Sequence, residues 1–160
     1  MRPMSVTRRV MEAKAKLQSL ADLPSHSRLE EHALAEAVLH QLAVTWLALI
    51  RQVGDAHGIK PTAIDSLEAL VAVLNDRGLP SLEVNQLKTL AEDPGSWWSA
   101  FVRHRESVMC PPEPMVSSVS DAIPLMDRSG LEAIQADRYR PWVSELVDLI
   151  DSLQGRFHES

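Results

Sequence analysis

The sequence predicts an all-α protein: a single-domain helical bundle of about five to six helices around a long central helix. Three observations carry this. Apolar residues recur at three- and four-residue intervals, and no period-two alternation persists. One long proline-free stretch, residues 27–58, has a helix start and a helix stop at its two ends. At 160 residues with 45% apolar content, the chain is long enough to bury a core.

Taken in order, Ser5 or Thr7 can cap a first helix to about Ala21, with Val6, Val10, Ala13, Leu17 and Leu20 on one stripe. Asp22, Leu23, Pro24 and Ser25 break it. The central helix opens at Ser27 and Glu30, a pair that can satisfy orphan backbone donors reciprocally, and closes at Gly58, suited to a left-handed turn. Its apolar arc is Ala35, Val38, Leu39, Leu42, Ala43, Trp46, Leu49, Ile50 and Val53. Glu30, Glu36, His40, Gln41, Arg51 and Asp55 occupy the other side. So wide an arc needs more than one neighbour.

Thr62 and Asp65 predict a third helix, with Leu67, Leu70, Val71 and Leu74 inward and Gly78 as its stop. Pro80 and Ser81 open a fourth, with Leu82, Leu87 and Leu90 inward. Asp93, Pro94 and Gly95 read as cap and first turn of a fifth, through Trp97, Trp98, Phe101 and Val102. Residues 110–130 hold Pro111, Pro112, Pro114 and Pro124 and are expected to form a Pro/Ser-rich loop wrapping the bundle. Pro141 is expected to begin the last helix, with Trp142, Val143, Leu146, Leu149, Ile150 and Leu153 in register and Gly155 as its end.

Charge and cysteine usage narrow the function classes. A net charge of −6 argues against a general nucleic-acid or anionic-membrane binder. The distribution is uneven: through Lys16 the chain carries five cations against Glu12, a net of +4 that leaves −10 for the remainder. The single cysteine, Cys110, rules out an internal disulfide and a cysteine-based zinc site. No secretory signal follows the early arginines, and no apolar run reaches about 18 residues without charge, so a cytoplasmic protein with no membrane span is expected.

Three constellations could carry function. His32, Glu36 and His40 share a helical strip, as metal ligands in helical bundles do, but drift by about 80° and have no second ligand motif to complete a shell. The plain reading is a solvated face. Arg51 and His57, with five residues between them, have the spacing of ribonucleases of the HEPN class, in which Arg steadies a phosphate and His moves a proton. The plain reading places His57 at the carboxyl end of the helix dipole. Trp97 and Trp98 lie about 100° apart on a helix and cannot share one core centre, so with Phe101 they are the candidate contact surface for a protein partner. The plain reading sandwiches the fifth helix between the bundle and the Pro-rich wrap. No phosphate-binding glycine loop or nucleophile elbow occurs, so no cofactor is expected.

Two blocks carry a resemblance. The first runs from Leu29, Glu30, Glu31 and His32 through Glu36 and His40 into Trp46 and Ile50. The second runs from Leu82 through Leu87 and then from Asp93 to Trp98. Together they resemble a family of small all-helical bacterial proteins of the pseudomonads and their relatives, known as a domain of unknown function. The resemblance implies a bacterial, cytoplasmic helical protein and supplies no catalytic residue. The expectation is an adaptor or regulator acting through protein–protein contact, with an unidentified protein partner and a homodimer as a further arrangement. The alternative is a metal-dependent or HEPN-like activity on the central helix.

Overall fold

The computed structural model describes residues 2–109 and 136–159. Among them are six helices and no strand: α1 (Arg2–Ala21), α2 (Arg28–Ala56), α3 (Leu67–Arg77), α4 (Leu82–Glu92), α5 (Trp97–Met109) and α6 (Ala136–Glu159), with a short 3-10 turn at Pro61–Ala63. The all-α bundle is therefore observed. The expected wrapping loop at 110–130 lies outside the described residues, as does Cys110.

The long helix forms as its termini dictate. Ser27 Oγ accepts the Glu30 amide at 3.1 Å. Glu30 Oε1 reaches the amide of His26 at 2.9 Å, one residue before the cap rather than on it. At the other end Gly58 takes φ +79°, and the Ile59 and Gly58 amides return to the carbonyls of Gly54 and Asp55. This double closure lets the chain reverse and buries Ile59. By length and composition α2 could also cross a membrane, since its most apolar window has a mean hydropathy of 1.6. The longest uncharged run in α2 is residues 37–50, between Glu36 and Arg51, so this window includes charge and the expectation of no uncharged run of about 18 residues is not contradicted. In this fold half of that window is buried in the bundle.

α1 lies antiparallel along α2, with Thr7 against Gln52 and Ala13 against Gln41 and Thr45. α6 packs on both. Lys14 meets Asp151 at 2.6 Å and Arg140 Nε donates to the last carbonyl of α1, Ala21, at 3.0 Å, so α6 runs antiparallel to α1 and parallel to α2. α3 packs on α2 and α4, while α4 and α6 flank α5. The shared core is built from Val10, Leu17, Leu42, Leu49, Ile50, Leu70, Leu87, Phe101, Leu146 and Ile150.

Two polar links run through this core. Gln52 and Gln154 exchange amide hydrogen bonds at 3.1 and 2.6 Å, and Gln52 also donates to Thr7 Oγ1 at 3.2 Å. Gln41, expected on the polar side, is buried and donates to the Ala13 carbonyl at 3.3 Å, with Thr45 beside it. Among the described residues no buried side-chain polar atom lacks a partner. Gly54 is the close-approach point of α2: a Cβ there would stand 2.2 Å from Ile64 Cδ1, and Ile64 is itself fully buried.

Several helix starts differ from expectation. α3 is capped by Ser66, whose Oγ accepts the Ala69 amide, because Pro61 to Ala63 are taken up by the 3-10 turn. α4 does open at Ser81 as expected, but Leu82, expected inward, is 74% exposed, and Val84 and Leu87 are the buried residues. The fifth helix begins after Ser96, whose Oγ accepts the Ser99 amide, so Pro94 lies outside it. α6 starts at Ala136, carries Pro141 inside it and continues past Gly155. A proline this near the amino-terminal end removes one intrahelical donor while the first turn before it still forms.

Candidate functional site

All four tryptophans of the chain meet in one cluster. Trp46 on α2 stacks on Trp98 at 3.9 Å between ring centroids and 17° between planes. Trp97 stands edge-on to Trp98 at 5.7 Å. Phe101 lies 5.0 Å from Trp98 and 5.9 Å from Trp142, joining α5 to α6. The candidate contact surface is thus divided. Phe101 is fully buried and offers no face to a partner, whereas Trp97 and Trp98 are half-buried.

Trp98 forms one wall of a groove of about 770 Å³ between α2 and α5, which also takes in Val44, Leu47 and Val102. Its rim is mixed, with Asp65, Glu68 and Glu92 towards α3 and α4 and Arg103 and Arg105 on α5. Arg103 is tied down by a 3.3 Å bond to the Pro94 carbonyl. A second groove, of about 700 Å³, lies between α2 and α1. Here Arg9, Lys16 and Arg51 surround Val6, Val44, Leu47 and Ala48, and Glu12 is the one carboxylate on its lining. The two grooves meet over Val44 and Leu47, so no described helix covers the outer face of the middle of α2, and Val44 is 40% exposed.

The other candidates are placed as follows. His32 is half-buried and Glu36 and His40 exposed along α2; among the described residues no group of three His, Cys, Asp or Glu side chains is arranged to hold a metal ion. Arg51 Nε donates to the Ile64 carbonyl at 2.9 Å, fixing the turn after α2, and His57 is the residue that caps α2. Both have structural employment, and His57 is absent from the linings of both grooves.

Val44 and Leu47 lie off the apolar arc on which the bundle reading of α2 rests. The signal that marks them is two large aliphatic side chains, three residues apart, on the otherwise polar side of a helix. Arg9 and Lys16 are marked by their seven-residue spacing, which puts them on one stripe of α1.

One titratable group touches the aromatic cluster. The His104 ring lies 6.1 Å from Trp142, and burial, with a smaller contribution from the charge of Arg138, lowers its pKa from the ordinary 6.5. Protonation is therefore harder in the folded than in the unfolded chain. The sign follows: stability at this site is complete above about pH 6.5 and is lost as acidification protonates the unfolded state first. The urea midpoint should fall between about pH 8 and about pH 5.5, and His104→Gln should flatten part of that slope. An identical slope in the variant would remove His104 as a contributor.

Comparison with protein-family models, with curated proteins and with solved structures finds no match.

Proposed function

We propose that this helical bundle is an adaptor or regulatory protein that docks a protein partner across the outer face of α2. The observation that supports the reading is a strip that no described helix covers. Val44 and Leu47 sit midway along the longest helix, with a concave groove on each side, while its opposite face is built into the core. Apolar side chains held rigidly on a regular element, between concave flanks, offer a partner contact area at little ordering cost.

A photo-crosslinking side chain placed at position 44 tests this, against the same side chain at Ser152 on the exposed face of α6. In native cells, position 44 should give one discrete protein adduct that position 152 does not. The same adducts from both positions, or none from 44, would refute the docking surface.

A further inference from the structure

We infer that the groove between α1 and α2 seats an acidic amphipathic helix of a partner protein. The inference rests on the docking role proposed above and adds the partner's chemistry. The α1–α2 hairpin has a long slot on each side. One is filled by α6, held by Lys14–Asp151 and by Thr7, Gln52 and Gln154. The other is this groove, which no described helix fills and which is lined by Val44, Leu47 and Ala48. A helix laid there would complete a bundle on this side as α6 does on the other.

Charge selects which helix. In a chain of net −6, the groove carries Arg9, Lys16 and Arg51 against Glu12 alone. Glu12 is itself engaged by Arg8 at 3.1 Å. Arg9 and Lys16 have no ion-pair partner among the described residues. Seven residues apart, they stand two turns from one another on the same stripe, about 10 Å along the helix. Carboxylates flanking an apolar stripe on a docked helix would answer this pattern. A second copy of the chain would not, because a two-fold pairing through this face brings the three cations of each copy together.

The test uses the full chain and two labelled peptides of about 20 residues, each a helix with a leucine stripe, one flanked by glutamate and the other by lysine. Fluorescence anisotropy should show saturable binding of the glutamate peptide, weakened by added salt. The double variant R9E/K16E should weaken it about tenfold or more, whereas Lys88→Glu on α4 should not. Both replaced groove side chains are exposed, so circular dichroism and Tm should be unchanged.

The inference is overturned if the glutamate peptide does not bind, if both peptides bind alike, or if R9E/K16E has no effect. It is also overturned if anionic phosphatidylglycerol vesicles, and not the peptide, respond to R9E/K16E. The same holds if sedimentation shows a dimer that Val44→Arg dissolves. A discrete adduct at position 44 alongside a failed peptide test would leave the docking role standing and remove only the acidic helix. Failure of both would remove the two together.

Discussion

Replacing Phe101 by alanine is expected to lower the unfolding free energy by about 3–5 kcal/mol, a large share of the total for a domain of this size. The ring is fully buried and stands between Trp98 and Trp142, so its loss opens a cavity where α5 meets α6 and removes two aromatic contacts together. Because every tryptophan belongs to the same cluster, the intrinsic emission of the protein reports this one region. The variant should shift emission to the red before unfolding begins and lower the urea midpoint. Trp97→Ala, at the half-buried edge, should cost less. A loss below about 1 kcal/mol with unchanged emission would mean that Phe101 does not join the two helices.

The second large effect is expected at Gln154. Leucine there leaves the Gln52 amide buried with its carbonyl oxygen unpaired and only Thr7 to receive one of its hydrogens. A cost of about 1–3 kcal/mol follows from the orphaned group. Gln52→Leu should cost a similar amount, since it strands Gln154 in turn. The double variant Gln52→Leu/Gln154→Leu should recover most of the loss, because two apolar side chains of similar size need no hydrogen bonds. A double-mutant cycle by urea denaturation measures the coupling. Strictly additive losses would show that the two amides act independently.

The ends of α2 were legible because capping is local chemistry: Ser27 and Gly58 act through residues within one turn of themselves. Local signals misled where two caps competed. Thr62 and Ser66 are both plausible starts for α3, and Pro61 decides the contest by drawing Thr62 into a tighter turn. Pro141 looked like a first residue because proline is favoured there, yet a helix can begin several residues upstream. Leu82 departs from expectation for a different reason: it stands five residues from Leu87, about 140° round the helix, so the two cannot share the buried stripe. Gln41 was unreadable because its burial depends on the Ala13 carbonyl of another helix. The grooves were hidden for a related reason. Periodicity shows that Val44 and Leu47 are apolar, but only the positions of α1, α5 and α6 show that no described helix covers them.

The Gln52–Gln154 pairing has a consequence for synthesis. The two residues are 102 positions apart, so at ordinary translation rates the first emerges roughly 5–20 s before the second. Hairpins of sequence-adjacent helices form within microseconds to milliseconds, so α1 and α2 can associate long before the ribosome has made α6. In that interval a nascent chain presents both flanks of the hairpin bare, one of them bearing an unanswered amide. Any chaperone that shields this intermediate should bind the flank that α6 later claims and let go when Gln154 arrives.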